Sequence, residues 1–284
     1  MLEGMWRRVG RIFAILVLIA LVLVLDAFWV EPSSLRIHRE EITLSRWHRE
    51  LTVAAISDLH VGSPNVSLNR VRSIVETINA QHPDVVVMAG DFVIGGPGHR
   101  AGVRGGSFVA PEDTASVLRG LRAPLGVYAV LGNHDAWYDG SRVTQAFEAA
   151  GIRMLDNRAV RLDAASQPFW LGGIADLWTS NPDIAGTLAQ TDPREPVILF
   201  THNPDIFPAV PKRVSLLIAG HTHAGQVQLP FYGPLVKVSN YGYVDGLIRE
   251  GERTLFITHG IGTSIVPARF GVPPEIAILK LKPR

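Results

Sequence analysis

From Leu51 onward the chain alternates short apolar runs with segments of helical period, a pattern that restricts it to an α/β sheet. The runs cover residues 51–57, 85–89, 127–131, 197–201 and 216–219. Between them the spacing predicts helices over 68–80, 112–121 and 143–149. The first repeats apolar side chains at Val71, Ile74, Val75 and Ile78. The second follows Pro111, whose fixed φ suits a first helical position. Later runs at 169–175, 225–229, 236–238, 243–248 and 254–258 read as strands joined by tight turns, and 275–280 is expected to close a sheet edge. No internal repeat is visible.

A different pattern opens the chain. Arg7, Arg8 and Arg11 precede an unbroken apolar run over 12–25, and Asp26 is followed by Ala27, Phe28, Trp29 and Val30. At 1.5 Å per residue, the run to Val30 spans roughly 28 Å, close to a bilayer core. Phe28 and Trp29 would sit as an aromatic belt, and the arginines put the N-terminus in the cytoplasm. Residues 1–30 are therefore expected to be a stub and an uncleaved transmembrane anchor, with the rest of the chain extracytoplasmic. A signal peptide shares the short apolar core and basic start, but no A-x-A cleavage site precedes Pro32. A buried core helix is the third reading. Residues 31–50 are expected to be a linker or a first edge strand, and 51–284 the catalytic domain.

Composition removes several functions. The 284 residues carry 27 Lys and Arg against 26 Asp and Glu, so no basic field is available for nucleic-acid binding. With no cysteine, thiolate metal sites and cysteine nucleophiles are excluded, and any metal must be held by His, Asp, Glu or Asn. The glycine-rich stretch 95–107, with His99, Arg100 and Arg104, lacks the G-K-[ST] ending of a P-loop. It reads as a surface loop, with a basic flap over a nearby site as the alternative.

Each of the five apolar runs leads into residues able to bind a metal. Asp58 and His60 follow the first, and Asp91 follows the second. Asn133, His134 and Asp135 follow the third, His202 the fourth, and His221 with His223 the fifth. In parallel sheets the C-terminal ends of strands face one crevice, so five strands would deliver oxygen and imidazole ligands to one place. Any single motif also fits an ordinary turn. Their joint placement points to a metal site.

In this order, Asp58-Leu-His60, Gly90-Asp91, Gly132-Asn133-His134-Asp135, His202 and Gly220-His221-Thr-His223 resemble the calcineurin-like metallophosphoesterase family over roughly residues 51–282. The resemblance implies a four-layer αββα sandwich. It also implies two divalent ions (Mn, Zn, Fe or Co), one held by Asp58, His60, Asp91 and His223. The other would be held by Asp91, Asn133, His202 and His221, with Asp91 as the bridge. The expected reaction is in-line attack on phosphorus by a metal-activated hydroxide. His134 would hold the phosphate or protonate the leaving oxygen, Asn133 would also contact substrate, and Asp135 would orient backbone or histidine.

The stretch from Gly220 to Gln226, with the anchor, looks closest to a bacterial membrane-anchored branch of phosphodiesterases, some acting like hydrolases of UDP-2,3-diacylglucosamine. A cytoplasmic-leaflet substrate of that kind conflicts with the topology read from the arginines. Residues 92–96 lack the arginine that Ser/Thr protein phosphatases of this superfamily place there, which argues against that activity. Arg269 is a candidate phosphate contact or a surface residue, and His259 either lines the site or is structural. Phe231, Tyr232 and Leu235 are candidates for lipid contact or for packing on their own sheet. The leading expectation is a phosphodiesterase acting on a lipid-linked or extracytoplasmic phosphoester. A phosphomonoesterase with the same site and a non-catalytic scaffold of the same fold are the alternatives.

Overall fold

The computed structural model describes residues 2–95, 104–164 and 167–284. Helix α1 (Leu2–Leu25) runs on through a π turn over Asp26–Val30 and a 3-10 turn over Glu31–Ser33. Its apolar stretch is long enough to cross a membrane, and none of it is buried in protein, which removes the core-helix reading. In chain order the strands are β1 (Arg36–Leu44), β2 (Leu51–Ile56), β3 (Val85–Ala89), β4 (Val127–Val130), β5 (Arg153–Met154), β6 (Arg158–Ala164) and β7 (Gln167–Ile174). They continue as β8 (Val197–Thr201), β9 (Val214–Ala219), β10 (Gln228–Leu229), β11 (Gly233–Pro234), β12 (Gly246–Glu250), β13 (Arg253–Ile257) and β14 (Glu275–Pro283). The remaining helices are α2 (Leu68–Asn79), α3 (Pro111–Leu118), α4 (Asn133–Ala149) and α5 (Ile184–Ala189).

Two six-stranded sheets result, ordered β1-β14-β2-β3-β4-β5 and β12-β13-β9-β8-β7-β6. Alternation along the strands decides the layers. Val53 and Ala55 of β2 and Val85 and Val87 of β3 meet Ile198, Phe200, Leu216 and Ile218 of the second sheet. Ala54, Ile56, Val86 and Met88 point the other way, onto Val71, Ile74 and Ile78 of α2, Leu118 of α3 and Phe147 of α4. The second sheet is covered outside by α5 and a 3-10 segment, Pro204–Ala209, through Leu188, Ile206 and Phe207. The architecture is αββα, with a thin second helical layer.

Some expectations shift. Strand β14 lies inside its sheet, between parallel β1 and antiparallel β2, rather than closing an edge, because 36–44 supplies the edge strand instead. Residues 236–238 form no strand, pairing in 225–229 shrinks to β10, and the 243–248 strand starts later, at Gly246. Helix α4 begins at Asn133, ten residues early, with a break in helical geometry at Asp139. Strand β6 and helix α5 add to the expected elements. Strand β6 is an edge strand paired with β7, and Val160, Leu162 and Ala164 alternate with exposed Arg161 and Asp163 along it.

One ionic cluster ties β1 to this frame. His38 Nδ1 lies 3.4 Å from Glu275 and its Nε2 3.4 Å from Glu40. The hydrogen bond to Glu275 carries the His38 imidazole up to about 9 from 6.5. A raised folded-state pKa stabilises below the unfolded value and is lost as pH rises through the folded one. Stability should therefore fall between about pH 6.5 and 9 by about 1 kcal/mol, the shift being discounted for the partial exposure of His38. Denaturant melts of the detergent-solubilised chain across that range should show this slope, and His38→Asn should flatten it.

Candidate metal centre

The C-terminal ends of β2, β3 and β4 in one sheet and of β8 and β9 in the other open on the same cleft. The turns leaving them are unusual. Asp58, His60, Asp91, His221 and His223 all adopt positive φ, between 42° and 72°, which is uncommon for non-glycine residues. Gly90 and Gly132 make this possible, because a Cβ on Gly90 would lie 2.5 Å from the Gly132 nitrogen.

Asp91 is central. Its Oδ2 lies 3.3 Å from His202 Nε2 and 3.6 Å from His60 Nε2. On one flank His60 Nε2 faces His223 Nε2 at 3.2 Å, and His223 Nε2 is 3.3 Å from Asp58 Oδ1. On the other, His202 Nε2 is 3.0 Å from both Asn133 Oδ1 and His221 Nδ1. The ligand atoms fall into the groups Asp58–His60–His223, His60–Asp91–His134 and Asp91–His202–His221, within each of which all lie within 4.8 Å of one another. His202 Nδ1 donates to the Ala89 carbonyl at 2.7 Å and His60 Nδ1 to the Val93 carbonyl at 3.3 Å, which turns each Nε2 toward the cleft. Asp58 Oδ1 is buried without a hydrogen-bond partner. Acceptor atoms crowded this closely fit shared cations.

The titration shifts follow from this crowding. Burial lowers His60 and His221 to about 3 each, aided by neighbouring imidazoles, so both rings are neutral and able to ligate. His202 is the exception. Against burial, the Asp91 carboxylate raises it to about 10. The His202 charge in turn holds Asp91 well below the usual carboxylate range, although burial opposes this. Burial, with the nearby Asp91 charge, pushes Asp58 up to about 6.

The pattern of the calcineurin-like phosphoesterase family matches residues 51–225. The chain belongs to that family. A metallophosphoesterase of Bacillus subtilis, YkuE, is 32% identical over 81% of this chain and 78% of its own length. A metallophosphoesterase of Helicobacter pylori is 30% identical over 88% of this chain and 64% of its own. The phosphodiesterase YaeI of Escherichia coli is 30% identical over 80% of each. As a calcineurin-like phosphoesterase, the chain is a metal-dependent hydrolase of phosphoesters.

Within this calcineurin-like site the surrounding residues take distinct positions. Asp135 is buried and clamps two ligand loops: its Oδ2 accepts from the N–H groups of Asp91 and Gly132, both at 2.9 Å. Its Oδ1 accepts from Phe92 and Val93 at 2.9 and 3.1 Å. Asp91 Oδ1 accepts the His134 N–H at 2.8 Å, so the His134 backbone is fixed to the central carboxylate. Ser57, not singled out in the sequence, donates to Asp58 Oδ2.

Arg269 is neither a surface residue nor free for phosphate. It is fully buried, and its guanidinium donates to the carbonyls of Gly262, His259 and Val272. Its Nη2 also lies 3.4 Å from His223 Nδ1, so it positions loops beside the site. His259 is bonded to Glu275 and Asp245 and holds Arg269 through its carbonyl, a structural placement. His99 and Arg100 lie outside the described residues, while Arg104 is exposed.

Two tryptophans escaped the sequence reading. Trp178 packs edge-on to His221 at 4.3 Å, and Trp137 lies 5.2 Å from the His134 ring. The two indoles are 6.5 Å apart at 29°, both substantially exposed, and form an apolar wall beside the candidate metal ligands. A signal for Trp178 existed. It follows the end of β7, so the rule that strand ends feed the cleft extends to a sixth strand.

The Asp135 clamp yields a test. Asp135→Asn keeps the volume but turns an amide N–H₂ toward backbone donors, and should destabilise the chain by about 3 kcal/mol. Urea denaturation of the detergent-solubilised chain measures it, and a change under about 1 kcal/mol would contradict the clamp.

Proposed function

We propose that the chain is a membrane-anchored phosphodiesterase with a dinuclear metal centre, residues 1–30 forming the anchor, 31–50 the connection and 51–284 the catalytic domain. The observation that carries it is the placement of Asp91 between His60 and His202, with an imidazole-rich group on either side. Asp58, His60, Asp91 and His223 would hold one divalent ion, and Asp91, Asn133, His202 and His221 the other. Mixed imidazole, carboxylate and amide donors suit Mn, Fe, Zn or Co. Bound there, the ions supply acidification of water and neutralisation of phosphoryl charge.

The protein groups do the rest. His134 stands against His60 at 4.6 Å between rings, and we assign it the proton needed by the departing oxygen, with Asn133 orienting the phosphate. Trp137 and Trp178 offer a flat apolar surface to a group of the substrate flanking the phosphorus. The name of the Escherichia coli relative favours a diester over a monoester. The apolar N-terminal helix favours a lipid-linked or membrane-adjacent phosphoester met on the extracytoplasmic side, given the arginines that precede it.

Purified full-length chain with manganese should hydrolyse bis-p-nitrophenyl phosphate faster than the monoester p-nitrophenyl phosphate. Asp91→Ala should lose both activity and bound metal. His134→Ala should keep its metal while kcat drops about 10²–10⁴-fold. Faster turnover of the monoester would overturn the diester assignment, and His134→Ala with full activity would remove that residue from the chemistry.

A further inference from the structure

The end of the N-terminal helix is bonded directly to the catalytic fold. The Ala27 carbonyl accepts the Arg269 N–H at 2.8 Å, and the Glu31 carboxylate accepts the N–H groups of Gly271 and Val272. The same loop continues into a hairpin. Phe270 exchanges backbone hydrogen bonds with Gln226 and Gln228, at 3.0 and 2.7 Å, and the chain then runs through β10 and β11. On the other side of Gln226, its side chain holds the Ser264 N–H and the Val266 carbonyl. Helix exit, hairpin and the 264–266 loop are therefore one continuous surface.

That surface is apolar and open. Phe231, at the hairpin tip, is fully exposed, and Tyr232, Leu235, Val236, Ile265 and Val266 are each at least 40% exposed. Large contiguous apolar exposure of this kind marks a surface that is covered in use. Its charge selects the cover. Residues 226–244 and 260–274 contain no acidic side chain, while Lys237 and Arg104 stand exposed beside the patch, Arg104 bonded through its N–H to the Ile265 carbonyl. Aromatic tips, a tyrosine hydroxyl and flanking cations next to a helix that itself leaves water match the interfacial region of an anionic bilayer.

We propose that this face, the tip of the hairpin around Phe231 together with Ile265 and Val266, docks into the bilayer interface beside the anchor. It rests on the reading of the N-terminal helix as a membrane span. Docking fixes the orientation of the domain rather than merely tethering it. The loop carrying His221 and His223 leads directly into the hairpin, and Arg269 links His223 to the helix exit, so docking holds that rim of the cleft at headgroup level. The substrate class that follows is a phosphoester lying in the headgroup layer.

The absence of cysteine allows a clean test on the full chain. Single substitutions Phe231→Cys, Ile265→Cys, Leu18→Cys and Arg194→Cys each receive an environment-sensitive fluorophore in nanodiscs of mixed zwitterionic and anionic lipid, with and without nitroxide-bearing lipid. Arg194 lies before β8, at the strand ends opposite the cleft. Probes at 231 and 265 should be quenched several-fold along with that at 18, and the probe at 194 should not. Quenching at 18 alone would overturn the docking while leaving the anchor intact. No quenching at 18 would remove the anchor and the docking together. Shielding at 231 that grows with protein concentration and ignores the nitroxide lipid would assign the face to a second copy and overturn the proposal.

Discussion

Three carboxylates and five histidines are buried around one cleft, and keeping them there is the constraint to which the rest of the molecule answers. Burial of a charge without a partner is costly, and the fold meets that cost locally. Asp135 takes four backbone N–H groups, Asp91 Oδ1 takes the His134 N–H, and Asp58 takes the Ser57 hydroxyl and the His221 N–H. Asp91 Oδ2, Asp58 Oδ1 and the crowded imidazole nitrogens remain as acceptors that a cation can satisfy.

The two-sheet sandwich explains how such a site is assembled. Neither sheet supplies all of the candidate ligands. One brings Asp58, His60, Asp91 and Asn133, and the other His202, His221 and His223, and the shared core of Val87, Phe200 and Ile218 fixes their separation. Backbone turns with positive φ aim the side chains inward, and the clamp of Asp135 locks two of those turns to each other. Rigid strands and strained turns together give the preorganisation that ligand geometry requires.

Much of this was legible in the sequence because the strands that feed the cleft are continuous apolar runs, buried on both faces, and their ends carry rare residue combinations. Helix α2 was equally clear, since Val71, Ile74, Val75 and Ile78 all turn inward. What escaped had a weaker local signature. Strand β6 alternates Val160, Leu162 and Ala164 with charged residues, but it is a half-exposed edge with a short apolar side. Strand β14 seemed an edge because the partner on its far side, β1, precedes the whole domain in sequence. The burial of Arg269 could not be read from its composition-neutral surroundings, because the carbonyls it satisfies come from turns about ten residues away or closer. Trp137 lies on α4 and Trp178 in the turn after β7, and the two meet only in the folded cleft.

The central claim is that Asp91 joins two ions in one centre. Electron paramagnetic resonance of the full chain reconstituted with manganese addresses it directly, because two Mn(II) ions sharing a carboxylate are magnetically coupled. The account predicts two manganese per chain and a broad exchange-coupled spectrum. A six-line spectrum of isolated Mn(II), at one ion per chain or none, would contradict it.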